Sequence, residues 1–393
     1  MGAIIAVINK RGKNTTQAAV TMLGMLKPRN AEAYGIASPT TIKIEETVDC
    51  LHGRDVKSHI AIGHVFSKIL KLDKPQPIKL ENATIAFDGR IYPPNKELSV
   101  AEAIAKKLRQ NHEEAVKNVI KENDGDFAFT VAEQERLMAG RDAMGTRPLY
   151  YGENTDLAAL ASERKALWKI GIKKADSFPP GHFALVDGSG FKFKPVKTLI
   201  YSKPRQTTIQ AAARELQMLL KHSTEERVSG LKEAAVAFSG GLDSSIIAFL
   251  AKISGVDVHL IHVSLENKPE TEYAKTTAEE LKLPIHVYLY NEEEVEGLLP
   301  DVLWLIEEPD PVNASVGIPF YWAAEKTSET GFKVMLAGQG ADELFGGYKR
   351  YVNDYARHGS QRVQETILND IFRMHKTNFE RDFKICNFHN VEL

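Results

Sequence analysis

Short apolar runs separated by turn signals fill the first half of the chain: residues 3–8, 83–87, 127–131 and 149–151, punctuated by Asp88-Gly89, Asp124-Gly125 and Asp187-Gly188. Runs this short predict largely antiparallel strands, with helices around 16–26 and 100–119. The pattern changes near Lys203-Pro204-Arg205. A helix over 209–228 leads into alternating segments: strand 234–238, helix 244–254, strand 256–263, helix 270–281, strand 284–290 and helix 293–307. A further helix over 318–330 precedes strand 332–337. Strand, helix, strand at that spacing predicts right-handed crossovers and a parallel sheet. The boundary sets two domains, 1–203 and 204–393, an α+β half followed by an α/β half. Glu292-Glu293-Glu294 reads as the acidic first turn of a helix. No internal repeat or low-complexity tract interrupts either half.

Composition narrows the function classes. Lys and Arg total 50 against 52 for Asp and Glu, a formal net charge of −2. That balance argues against wholesale binding of nucleic acid or an anionic membrane. Two distant cysteines, Cys50 and Cys386, exclude a disulfide framework and a cysteine zinc site, and point to a reducing cytoplasmic setting. The first residues read as a β-strand rather than a signal peptide, and no run is long enough for a spanning helix.

The strongest chemical signal is Phe238-Ser239-Gly240-Gly241-Leu242-Asp243-Ser244-Ser245, set between a predicted strand and a helix start. Two glycines allow a tight turn and close backbone approach. Hydroxyls and free N–H groups at the helix start favour an anion. A Walker A loop is excluded, because no Gly-Lys-Ser/Thr follows. A second constellation, residues 337–348 (AGQGADELFGGY), closes the next predicted strand. In an open parallel sheet both loops face the crevice beyond the strand ends.

The first motif resembles the pyrophosphate loop of the ATP pyrophosphatases, and the second is similar to the SGxGxDExFGGY segment of asparagine synthetase. The resemblance to the asparagine synthetase family extends to the first half. There GRDAMGTRPLYY (140–151), ASERKAL (161–167) and Pro179-Pro180-Gly181-His182 are similar to class II glutamine amidotransferases. It implies an N-terminal αββα sandwich of the N-terminal-nucleophile type and a C-terminal ATP-pyrophosphatase (adenine nucleotide alpha hydrolase-like) domain. It further implies ATP around Ala237, Ser239, Gly240, Gly241, Asp243, Ser244, Ser245, Val263, Ala337 and Gly338, and Mg²⁺ on Asp243 and Asp342. Either carboxylate could instead be a helix cap.

This sequence departs from the family pattern in both halves. Where the family carries a nucleophilic cysteine at the second position, this chain has Gly2, so the first half has no glutaminase nucleophile. Asn-Gly-Glu becomes Asp88-Gly89-Arg90, turning an attraction for glutamine's ammonium into repulsion. Ser-Asp-x-Glu becomes Ser99-Val100-Ala101-Glu102, and the RGPDxxG loop survives as residues 29–35 (RNAEAYG). Glutamine hydrolysis is therefore not expected, and His64 reads as a packed histidine. In the second half the family's catalytic glutamate is replaced by Gln339, which cannot take a proton at neutral pH. Helix-like sequence runs to residue 393, short of the family's R-x-PFLD run and its phosphate-facing Lys, which suggests truncation. Residues 307–311 line the acceptor side or serve as caps. The expectation is an ATP-dependent amide ligase of asparagine biosynthesis, acting on aspartate and ammonia, with a homodimer implied by resemblance. The rivals are a synthetase for another carboxylate and a nucleotide-binding paralogue without turnover.

Overall fold

A computed structural model describes residues 2–26, 28, 30–53, 55–108 and 112–393. The chain forms two compact units, Met1–Leu199 with Asn387–Asn390, and Ile200–Cys386 with Val391–Leu393. Among the described residues no helix is long and apolar enough to cross a membrane.

The first unit is built on two antiparallel sheets. One runs Asp176–Ser177, Tyr150–Glu153, Leu157–Ala161, Gly2–Asn9, Ile60–Phe66, Ala33–Ala37, Ile42–Glu45; the other runs Gly190–Pro195, His182–Asp187, Leu137–Arg141, Asp124–Ala132, Thr84–Tyr92, Ile78–Lys79. The Gly2–Asn9 strand is apolar without alternation because both its faces are covered. Ile5 and Val7 pack under the helices Thr16–Met25 and Arg164–Lys169, while Ile4, Ala6 and Ile8 face the second sheet. Helices Val100–Lys107 and His112–Glu122 cover the far side of that sheet through Ile104, Val116 and Ile120. The layers are thus α, β, β, α. The expected helix over 100–119 is two helices, and residues 109–111 between them lie outside the described ones.

The GRDAMGTRPLYY segment works as a corner. Buried Arg141 donates to the carbonyls of Gly145, Arg147 and Phe178, each at 2.7 Å, and Asp142 accepts from the N–H groups of Met144 and Thr146. A buried guanidinium with its donors on backbone carbonyls closes the turn without leaving polar groups unpaired.

The second unit carries a parallel sheet in the order Ile285–Tyr290, Asp257–Leu265, Glu233–Ala237, Met335–Leu336. Val236, Leu260 and Val258 of its centre pack against Ala248 and Ala251 of helix Leu242–Ile253 and against Ala274 and Ala278 of helix Glu270–Leu281. Helices Ile209–Val228 and Glu270–Leu281 coincide with expectation. The helix expected to start at 318 starts at Pro311, because Asp310 caps it through Asn313 N at 2.7 Å and proline suits the first helical position. The strand expected over 332–337 is reduced to Met335–Leu336. The last helix does not run to the final residue: it stops at Phe388, Asn390 turns in the left-handed region, and Glu392 bridges Val334 in parallel. Asparagine tolerates that turn, which explains the stop. Neither Cys50, which is exposed, nor Cys386, which is buried, is in a disulfide.

Candidate active site

The strand Glu233–Ala237 delivers the chain to the first glycine loop. Phe238 N–H donates to Ile261 O at 2.9 Å; buried His262 links Phe238 O (2.8 Å) to the Thr271 hydroxyl (3.3 Å). Gly240 adopts φ +80°, and a Cβ there would meet Ala274 Cα at 2.8 Å, so the turn needs glycine twice over. Gly241 precedes helix Leu242–Ile253 with no side chain capping it. The first N–H groups of that helix are left for an anion. Ser239 Oγ accepts from Gly241 N at 3.2 Å and lies 3.3 Å from Ser244 Oγ; Ser245 Oγ donates to Gly241 O at 2.7 Å.

The second loop follows the neighbouring strand, Met335–Leu336, and touches the first. A Cβ on Gly338 would sit 2.9 Å from the carbonyl carbon of Asp243, so this contact also needs glycine. Together the loops border a cavity of about 290 Å³. Of the expected residues, Ala237, Ser239, Asp243, Ser244, Val263, Ala337, Gly338, Gln339 and Asp342 line it. Gly240, Gly241 and Ser245 are not among its walls and shape the loop instead. Tyr348, Pro319 and Phe320 also line it. Tyr348 was legible in the FGGY motif; the two helix residues carried no signal, since their apolar pattern reads equally as core.

Asp342 is pushed above the usual carboxylate range, first by burial and then by the charges of Asp243 and Glu343. Two carboxylates close enough to repel, beside a helix start suited to phosphate, are oxygen donors of the kind that would hold a hard divalent cation such as magnesium. Glu343 is committed elsewhere, accepting from Tyr348 Oη at 2.7 Å and Asn378 Nδ2 at 2.9 Å. Tyr348 is in turn held well above the usual phenol range by burial and by that bond.

The 307–311 segment resolves into caps. Glu307 ends helix Glu292–Ile306 at φ +60°, with its carboxylate 3.2 Å from buried Lys384 Nζ, and Asp310 caps the following helix. Glu292, Glu293 and Glu294 form the acidic first turn, where Glu294 completes a capping box with Asn291. Pro309, Asp310 and Pro311 do line a second, mostly apolar cavity of about 610 Å³, with Leu299, Leu303, Ile318 and Trp322. It shares the walls Val263 and Pro319 with the first cavity.

In the first unit, the residues around position 2 leave little space. The cavity bordered by His64, Arg90, Lys74, Ser99 and Val100 holds only about 40 Å³. Gly2 N–H donates to Asp88 Oδ1 at 3.1 Å, and Asp88 lies 3.7 Å from Arg147. Glu102 closes a capping box with Ser99 and pairs with Lys74 at 2.7 Å. His64 is fully buried and its pKa is pushed down to about 3, mainly by burial, so it stays neutral. Arg29, the first residue of the altered 29–35 loop, lies outside the described residues.

One unit is thus a parallel α/β unit with a glycine loop and a carboxylate loop on adjacent strands, and the other is an αββα sandwich. Known proteins agree with this division: residues 215–384 match the asparagine synthase family and residues 1–179 the glutamine amidotransferase domain. A protein of Methanocaldococcus jannaschii described as a putative asparagine synthetase (glutamine-hydrolysing) is 31% identical, covering 100% of this chain and 77% of that protein. The chain belongs to the asparagine synthetase family, whose members are ATP-dependent carbon–nitrogen ligases. An asparagine synthetase (glutamine-hydrolysing) of Arabidopsis thaliana is 29% identical over 57% of this chain and 40% of its own length. The chain spans about half the length of other curated relatives, 56% for one from Dictyostelium discoideum. Among solved structures, a B. subtilis glutamine phosphoribosylpyrophosphate amidotransferase complexed with ADP and GMP covers 72% of this chain and 65% of its own. Its identity is 16% and its TM-score 0.43, too loose a likeness to bear on function.

Proposed function

We propose that the chain activates a carboxylate, aspartate first, as an acyl-adenylate and transfers the acyl group to ammonia rather than to nitrogen from its own glutaminase. The observation that carries this reading is the cavity shared by the Ser239–Ser245 loop and Asp342. The helix start and the serine hydroxyls bind the β and γ phosphates, and Ala237 and Val263 flank the adenosine. A carboxylate oxygen attacks the α-phosphorus and pyrophosphate leaves. The amine nitrogen then bonds to the acyl carbon, the carbon–oxygen bond to AMP breaks, and the amine's surplus proton passes to solvent. Asp243 and Asp342 would hold magnesium, which neutralises charge on the departing pyrophosphate when bound. Gly2, Arg90 and the small pocket beside His64 support ammonia as the donor. A cytoplasmic, homodimeric enzyme is part of the same reading.

A second reading is favoured by the 610 Å³ cavity: an acid with an apolar body, seated against Trp322 and Leu303, in place of aspartate. Apolar pockets with few polar groups of this size suit small organic ligands. The test is AMP and pyrophosphate release from ATP with magnesium, across aspartate and a series of aliphatic and aromatic acids, with ammonia or glutamine. Product with aspartate and ammonia supports the first reading, and product with an apolar acid the second. Product with glutamine alone, or nucleotide binding without turnover on any acid, defeats both.

A further inference from the structure

The cavity of about 610 Å³ lies between the end of strand Asp257–Leu265 and the helices Glu292–Ile306 and Pro311–Glu329. The first of these helices already turns Val302, Leu305 and Ile306 into the core. Val295, Leu299 and Leu303, spaced four residues apart, form a second apolar stripe, and that stripe walls the cavity. Leu299 is still 38% exposed there, so the fold itself does not cover the stripe.

Trp322 is another wall of the cavity. Its indole stacks on Tyr290, with ring centroids 3.8 Å apart and planes within 3° of parallel. The pair makes a stiff aromatic wall against which a further ring can pack. Pro319, inside the helix, has no N–H to give the carbonyl of Ser315, four residues back. Helix carbonyls point along the axis toward the next turn, and Ser315 and Pro319 both line the cavity. An acceptor without its helical donor is thus left on an apolar wall. Among the described residues lining the cavity there is no Lys, Arg or His. Asp310 spends a carboxylate oxygen on Asn313 N at 2.7 Å. An anion therefore meets no partner here, whereas a neutral ring with a single N–H meets an aromatic wall and an acceptor.

We propose that this cavity binds a neutral aromatic body carrying one hydrogen-bond donor, of the indole kind. The ring packs between Trp322 and the stripe of Leu299 and Leu303, and its N–H donates to Ser315 O. The body is either the side chain of the acid to be activated or a separate ligand. In the first case the carboxylate reaches the nucleotide cavity past Val263 and Pro319, walls common to both cavities. That case deepens the second functional reading and rests on it; the site itself does not.

Indole is the probe, titrated by calorimetry into the full chain. Benzothiophene has the same shape without the N–H and is expected to bind about fivefold more weakly. Pro319→Ala supplies an N–H to Ser315 O, and should erase the preference for indole over benzothiophene. Leu299→Glu, at an exposed position, should weaken indole roughly tenfold while the melting temperature is kept. No binding up to the solubility limit of indole overturns the proposal, as does a preference that survives Pro319→Ala. Indole affinity that falls as protein concentration rises also overturns it, placing a second copy of the chain on the stripe. The two sources are then told apart by ATP–pyrophosphate exchange. Exchange driven by indole-3-acetate or tryptophan, and inhibited by free indole, assigns the ring to the substrate. Indole binding with no exchange from either acid assigns it to a separate ligand; the second reading then fails and the site stands.

Discussion

A Cβ added to Gly2 would lie 2.4 Å from Nε2 of His64. The carbonyl oxygen of Val65 would be 2.6 Å away, and that atom is fixed in a strand paired with Gly2–Asn9. The loss of a nucleophile at position 2 and the packing around it are thus one feature. Gly2→Cys is expected to yield no glutamine hydrolysis, measured as glutamate release. It should also lower stability by about 1–3 kcal/mol in denaturant melts, the usual cost of overpacking.

His64 sets an acid limb to stability. Its folded pKa of about 3 lies below the ordinary 6.5, so the unfolded chain takes a proton that the folded chain refuses. The stability gained by keeping it neutral is full above pH 6.5 and declines as pH falls toward 3. His64→Gln should flatten the pH dependence of the melting temperature across that interval relative to the unsubstituted protein.

Asp342 sits against Asp243 and Glu343, so its charge is costly without a cation. Asp342→Asn is expected to melt at a higher temperature than the unsubstituted protein when magnesium is withheld. The same variant should lose ATP-dependent pyrophosphate release by roughly a hundredfold or more, consistent with electrostatic stabilisation of a leaving group. Calorimetry and a pyrophosphate assay check the two halves separately.

Gly240 combines φ +80° with a backbone neighbour at 2.8 Å from any added Cβ. Gly240→Ala should destabilise by about 1–3 kcal/mol and abolish ATP binding, read by denaturant melts and titration calorimetry. Gly255, also left-handed at φ +86°, has open space around it. Gly255→Ala should cost less and leave ATP binding intact.

Lys384 donates to Ile306 O at 2.6 Å and faces Glu307 at 3.2 Å, both side chains buried. Lys384→Met removes a buried cation together with its bonds to Ile306 O and Glu307, and a loss of about 3–5 kcal/mol is expected in urea melts.

Both glycine loops were legible because their requirements are local. A turn with positive φ admits little but glycine, so SGGLDSS and AGQGADELFGGY announce themselves wherever they stand. The helix Ile209–Val228 was legible for the same reason, with Thr208 as its cap. The helix Pro311–Glu329 was legible only from 318 on, because Pro319 suits the start of a helix, whereas the fold carries it in the helix interior. Asn378 carried no local signal at all: its importance comes from the Glu343 carboxylate that folding places beside it.

The amino-acid order by itself determined which backbone segments could turn tightly, where antiparallel strands give way to alternating strands and helices, and that position 2 lacks a nucleophile. Each of these follows from the chemistry of single residues and their near neighbours. The tertiary structure alone decided that Asn378 donates to Glu343, that Pro319 and Phe320 wall the cavity beside the Ser239–Ser245 loop, and that His64 fills the space beside Gly2. Those relationships join residues far apart in sequence. They arise when close packing brings segments together, and no property of either residue alone encodes them.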